Sequence, residues 1–293
     1  FNPKYSPDGK EVAFLENRTA IRVINLKTKK VRTVMDAQYQ YSYSDGDQWF
    51  EWSPDSKWIL SEFIGIGGWN NKDIVLLNAD GKGEMHNLTE SGYSDGNAKW
   101  VLGGKAMVWF SDRAGYRSHG SWGAQYDAYI MFFDVDAYDR FRMNKEDLAL
   151  LEEAEKAEKA EKEKAEKKKK EDKKGDKKKD AKGKKDGEEE KKEEVKPLKF
   201  DLDNRFDRIV RLTVNSSFMG DAVLTPKGDK LYYLAAFESG YDLWEHDLKE
   251  NSTKILLKGV GGGSLLPDKK GENIFMCTGG GMKKIEIAGS KTT

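Results

Sequence analysis

Ser6-Pro7-Asp8-Gly9-Lys10 lies between two runs that read as strands, Phe1–Tyr5 and Glu11–Leu15. Proline presets φ at one turn position, aspartate caps the turn with its side chain, and glycine takes the left-handed position. The pattern recurs at Trp52-Ser53-Pro54-Asp55-Ser56-Lys57, ahead of the strand-like Trp58-Ile59-Leu60. Trp100-Val101-Leu102-Gly103-Gly104-Lys105 fills the same slot before Ala106–Phe110. Leu224–Lys230 leads into Leu231–Leu234, and Leu266–Gly271 leads into Asn273–Cys277. The closing lysines Lys10, Lys57 and Lys105 are 47 and 48 residues apart, and Lys230 and Lys270 are 40 apart. A period of this length with four short strands per unit predicts an all-β fold, a β-propeller of five visible blades in a partial or open ring.

Composition bounds the rest. Lys and Arg number 51 and Asp and Glu 51 among 293 residues, so net charge gives no reason to expect nucleic acid or a membrane surface as partner. The balance hides a segment: residues 144–196 carry 20 Lys and 19 Asp or Glu. The predicted organisation is therefore blades one to three over 1–143, a Lys/Glu-rich insert within blade three over 144–196, and the end of blade three with blades four and five over 197–293. Asn144-Lys145-Glu146-Asp147 reads as a helix start, and Glu152–Glu171 is built of strong helix formers without an a/d seam. A solvated helix passing into disorder after Gly175 is expected. Cys277 cannot form an intrachain disulfide and reads as a buried thiol. The fifth unit shows no fourth strand after Ile287.

A second echo supports the repeat: Tyr43-Ser44-Asp45-Gly46 precedes Trp52 as Tyr93-Ser94-Asp95-Gly96 precedes Trp100. The end of unit two, Asn87-Leu88-Thr89, matches Arg211-Leu212-Thr213, which places the missing fourth strand of blade three beyond the insert.

Chemistry is sparse. His86 and His246 fall in predicted strands, and no paired-histidine spacing supports a metal site. The glycine-rich Gly65–Asn71 lacks the strand-to-helix context of a phosphate loop. Gly120-Ser121-Trp122-Gly123 has the wrong spacing for a nucleophile elbow. No catalytic residue, metal ligand or cofactor is assigned. The candidate binding loop is Ser111–Trp122, dense in Arg113, Arg117, His119 and Trp122. The rival reading is an inter-strand loop whose aromatics pack on the blade and whose arginines pair with blade acids.

Trp109–Arg113, Arg117–Ser121, Asp127-Ala128-Tyr129, Ala137–Phe141 and Lys145-Glu146-Asp147 stand in the same order as in another group of proteins. With Tyr41–Gln48 and Trp52–Lys57, they resemble the propeller region of tricorn-like peptidases of the S41 serine peptidase family. The turns alone are shared with TolB-like and other WD40-like propellers. The resemblance implies part of the second of two propellers, followed in a parent by PDZ and peptidase domains. It implies a non-catalytic role, guiding or filtering peptide or unfolded-protein substrates and docking to those domains, in a periplasmic or exported protein. A homo-oligomer through free strand edges is conceivable. The alternative is a TolB-like protein-binding propeller without protease function.

Overall fold

The turns close on their own side chains. In the computed structural model, which describes residues 1–40, 47–66, 68, 70–117, 123–174, 196–268, 270–279, 281–289 and 291–293, the Ser6 hydroxyl donates to Asp8 Oδ1 at 2.7 Å and accepts from the Glu11 amide at 3.0 Å. Gly9 sits at φ 73°. Ser53 and Asp55 repeat the pair at 2.6 Å, with Ser56 at φ 62° in the glycine position. There the hydroxyl has a use: it accepts the Asp8 amide at 3.0 Å and ties the two turns together.

Each turn opens a four-stranded antiparallel meander. The first sheet is β1 (Lys4–Tyr5), β2 (Glu11–Glu16), β3 (Ala20–Asn25) and β4 (Val31–Met35). The second is β5 (Phe50–Trp52), β6 (Trp58–Phe63), β7 (Asp73–Asn78) and β8 (His86–Asn87). In the third, β9 (Asp95–Val101), β10 (Ala106–Ser111) and β11 (Asp127–Phe132) precede helices α1 (Val135–Arg142) and α2 (Lys145–Lys174), and β12 (Ile209–Arg211) completes the sheet. The fourth holds β13 (Phe218–Leu224), β14 (Lys230–Ala236), β15 (Asp242–Asp247) and β16 (Ser252–Leu257). The fifth holds β17 (Gly263–Pro267), β18 (Asn273–Thr278), β19 (Gly281–Glu286) and β20 (Lys291–Thr292). The fifth sheet thus has the fourth strand that its sequence did not show. A strand of two residues, paired as Ile285 with Thr292 and Glu286 with Lys291, is too short to carry a period.

Alternation along the strands distributes the core. Ile59 faces a cluster with Ala13, Leu15 and Val23 of the first sheet, while its neighbour Leu60 faces Met107 and Trp109 of the third. Val108 and Phe132 of the third sheet meet Leu231 and Tyr233 of the fourth. Tyr232 and Leu234 turn the other way, onto Leu265, Ile274 and Met276 of the fifth. Each such side chain, removed from water, contributes about 1.5–3 kcal/mol. The three middle sheets are covered on both faces for this reason. Among the described residues no buried cluster joins the fifth sheet to the first. The uncovered face of the fifth keeps Leu266 at 54 % and Met282 at 69 % exposure. Cys277 pairs opposite Met282 on this face and is half-exposed, so it is not the buried thiol its apolar neighbours suggested.

A polar clip fastens the third strand to the fourth at one end. Asp73 opens β7 and is fully buried; its Oδ1 accepts from Thr89 Oγ1 at 3.0 Å and from the Ser91 amide at 2.8 Å. Thr89 Oγ1 in turn accepts the Ile74 amide at 3.1 Å. Asp127 opens β11 and does the same with Thr213 at 2.7 Å, whose hydroxyl accepts the Ala128 amide at 3.2 Å. The Asp–Thr separation is 16 residues in the second sheet and 86 in the third, a difference of 70.

The chain forms two compact units, Phe1–Phe141 with Lys196–Thr293, and Arg142–Val195. Helix α1, which the sequence did not announce, starts where Asp134 Oδ1 accepts the Ala137 amide at 2.7 Å. It packs Tyr138 and Phe141 on Phe132, with ring centroids 5.4 and 5.0 Å away. In the second unit the Asn144 side chain caps α2, accepting the Asp147 amide at 2.8 Å. The expected break after Gly175 lies outside the described residues, as does Tyr43-Ser44-Asp45-Gly46.

Candidate functional site

The β10–β11 connection carries the loop singled out from sequence. Arg113 Nε donates to Ser111 Oγ at 2.9 Å, and its Nη2 stands 3.3 and 3.4 Å from the two oxygens of Asp95. Asp95 is buried, and it also accepts from the Trp109 indole at 3.1 Å and from Ser91 Oγ at 2.5 Å. The Arg113 guanidinium lies 5.1 Å from the Tyr129 ring centre and 5.5 Å from that of Trp109. Arg117 reaches Asn71 Oδ1 at 3.0 Å and places Nε 3.0 Å from Asp112 Oδ2, without the alignment of a hydrogen bond. Tyr93 is held between the two guanidinium groups, 6.0 Å from Arg113 and 5.0 Å from Arg117. The loop can fold this way because Gly115 passes over Gln125: a Cβ there would meet the Gln125 carbonyl oxygen at 1.9 Å.

Both arginines therefore direct their charge at buried blade acids. This is the pairing that the rival reading of the loop expects. His119 and Trp122 lie outside the described residues. The acids that organise the place, Asp95 and Asp112, carried no signal beyond the Tyr-Ser-Asp-Gly echo and the Ser-Asp-Arg triplet.

Beside the loop, where β9 and β13 begin, lies a cavity of about 270 Å³. Glu62, Lys72 and Asn97 supply its polar wall, and Phe110, Tyr126 and Met219 its apolar one. Lys72 Nζ pairs with Glu62 Oε2 at 3.2 Å, and Glu62 Oε1 accepts the Asn97 amide at 2.9 Å. The Asn97 backbone adopts φ 55°, a region that asparagine tolerates and most residues do not. Tyr126 is fixed by a two-way backbone bridge to Ser217, at 2.7 and 3.1 Å.

Apart from this cavity, a series of alternating charges stands on the first strands of four sheets. Lys4 stands on β1, Glu51 on β5, Lys99 on β9 and Asp221 on β13. Lys99 Nζ pairs with Asp221 Oδ1. Glu51 Oε2 accepts the Trp100 amide at 3.3 Å, and Asp221 Oδ2 accepts the Leu265 amide at 2.7 Å. Each carboxylate thus grips the first strand of the next sheet. Burial pushes the Glu51 carboxyl above its ordinary range, against the Trp100 amide and the fields of Lys4 and Lys99. Burial also pushes the Lys4 ammonium down, against the field of Glu51. The sequence reading missed this series, because four charged residues at unequal spacings show nothing until the strands align.

No group of three His, Cys, Asp or Glu among the described residues is placed to hold a metal ion. His246 is buried, its Nδ1 2.7 Å from Thr253 Oγ1, and burial lowers its pKa. No described helix is long and apolar enough to cross a membrane.

Neither a family model nor a curated protein matches the sequence. Solved structures do match its coordinates. The tricorn protease matches over 100 % of the chain at TM-score 0.57 and 10 % identity, and TolB from Acinetobacter baumannii over 100 % at 0.53 and 16 %. A putative TolB from Agrobacterium tumefaciens matches over 99 % at 0.52 and 12 % identity. The chain has the propeller fold of tricorn and TolB. It spans 26 % of the tricorn protease chain, 53 % of the Acinetobacter chain and 78 % of the Agrobacterium one. At these identities the likeness is one of fold, and this propeller's chemistry rests on its own residues.

Proposed function

We propose that this propeller is a non-catalytic module that receives an extended peptide or unfolded segment at the cavity beside β9 and β13. The observation that carries the reading is the cavity itself. An extended chain presents amide groups and side chains alternately, and the cavity lining offers both polar groups, at Lys72 and Asn97, and apolar ones, at Tyr126 and Met219. Arg113 and Arg117 hold the loop beside it in shape. In a longer parent of the tricorn type the module would pass peptides toward a separate peptidase domain, outside the cytoplasm.

Fluorescence anisotropy with labelled, unfolded casein fragments tests this. The propeller is expected to bind them without cleaving them. Asn97→Gly, which keeps the backbone angle and removes the amide side chain, and Met219→Ala should both weaken binding. Cleavage by the propeller itself, or binding that neither substitution changes, would overturn the reading. In the latter case a folded-partner docking module of the TolB kind takes its place.

A further inference from the structure

A second cavity, of about 400 Å³, opens at the edge of the second sheet, and it shares no lining residue with the peptide cavity. It exists because β8 has two residues while β4 and β16 have five and six. The shortened edge is crossed by the returning segment 196–208. That segment is pinned: the Leu198 amide donates to Asp55 Oδ2 at 2.8 Å, and the Asp201 amide donates to the Phe133 carbonyl at 2.9 Å. Arg208 holds it from below through the Asp201 carbonyl at 2.5 Å. Phe200 thereby lodges among Trp58, Trp100 and Phe133, its ring centre 5.0, 6.0 and 5.2 Å from theirs.

The lining has a definite chemistry. Trp58 and Phe200 meet at 85°, so the cavity has two aromatic walls at right angles. Asp201 and Asp203 bring carboxylates to the same cavity, and His86 brings an imidazole. Asp201 shares its charge with Arg208, 3.4 Å away. The side chains of Asp203 and His86 have no hydrogen bond or ion pair among the described residues. Perpendicular aromatic walls with carboxylates at the rim suit a cation on an apolar stem: methylenes lie on the rings, and the charged head meets the acids and the π faces. An anion would be repelled by two carboxylates, and an uncharged apolar ligand would leave Asp203 without a role.

The geometry points to a binding site for a lysine or arginine side chain of a protein partner, its stem lying against the corner that Trp58 and Phe200 form and its cationic head on Asp203 and Asp201. The site is independent of the peptide cavity.

Titration of the whole chain with a fluorescein-labelled tetra-lysine peptide, with tetra-glutamate and tetra-glycine peptides as controls, tests the proposal. Binding is expected for the lysine peptide alone. Asp203→Asn, an exposed position that the fold does not need, should weaken it about three- to fivefold, the worth of one partly exposed ion pair. Asp36→Asn, an equal charge change at an exposed position of the first sheet's end, should leave it unchanged. Trp58→Phe should weaken binding as well, since tryptophan is the better cation receptor. No binding of the lysine peptide, or equal loss with Asp203→Asn and Asp36→Asn, would overturn the proposal. The second result would reduce the interaction to general charge attraction.

Discussion

The second and third sheets make the same clip with different lengths of chain. Asp73 and Thr89 are 16 residues apart, and Asp127 and Thr213 are 86 apart. In both, an aspartate at the start of the third strand accepts from a threonine just past the fourth, and that threonine accepts the next amide of the third strand. The clip sits at one end of the strand pair, and the chain leaves β11 and re-enters β12 at the other end, so both sheets use the same clip whatever the length between. A difference of 70 residues costs only about 1.5 kcal/mol in loop closure even if the whole connection were unstructured. The two clips differ in their helpers. Asp73 takes neutral donors, including the Ile66 amide at 2.9 Å and Asn87 at 2.9 Å, whereas Asp127 adds Arg211 at 2.7 Å and Ser216 at 2.7 Å.

The largest expected effect comes from cutting either clip. Asp127→Ala and Asp73→Ala each leave several buried donors without an acceptor, at a cost of about 3 kcal/mol or more. Urea unfolding of both variants measures it. A much smaller loss for Asp127→Ala would mean that the third sheet is closed by something other than its clip. Next in size is Phe200→Ala, which removes the ring that the returning segment inserts among Trp58, Trp100 and Phe133. A loss of about 2–3 kcal/mol is expected, with no counterpart in the short connection between β7 and β8, which carries no such ring. Arg113→Ala follows, at about 2 kcal/mol, because it strips the cation from fully buried Asp95. Arg117→Ala should cost less, its guanidinium being the more exposed of the two.

A smaller effect concerns pH. Hydrogen bonding to Arg32 holds the Glu11 carboxyl below its ordinary value of 4.5, and burial opposes it. A depressed carboxylate stabilises the fold above its unfolded pKa and loses that contribution as pH falls through the folded value. Stability should therefore drop by under about 1 kcal/mol below pH 4.5, given the partial exposure of the pair. Arg32→Ala should flatten this part of the pH profile. The smallest effect is the removal of 144–195 and its replacement by a short Gly-Ser link. Shortening the connection of the third sheet should change stability by less than about 1 kcal/mol, measured by thermal melting.

The sequence carried the fold because the turns are local chemistry. Ser6-Pro7-Asp8-Gly9 and Ser53-Pro54-Asp55-Ser56 determine their own hydrogen bonds, and alternation such as Ile59-Leu60 determines which core each side chain joins. Strand β20 was hidden by its two-residue length, and α1 by its short span beside a long charged helix. The candidate site was less legible. Arg113 and Arg117 stood out by composition, but their partners Asp95 and Asp112 are ordinary residues until the sheet buries them. The series Lys4, Glu51, Lys99 and Asp221 exists only across sheets, since adjacency between blades is not a sequence property. Nor could the pocket of Trp58 and Phe200 be read, its walls being separated by the whole insert.

The measurement that bears most directly on the functional account is hydrogen exchange of the propeller with and without a saturating unfolded casein fragment. Slowed exchange at Asn70–Lys72, Ser94–Asn97 and Tyr126, with the turns at Gly9 and Ser56 unchanged, is the predicted result. Protection confined to other edges, or no protection at all under saturating fragment, would contradict a peptide-receiving role for the cavity.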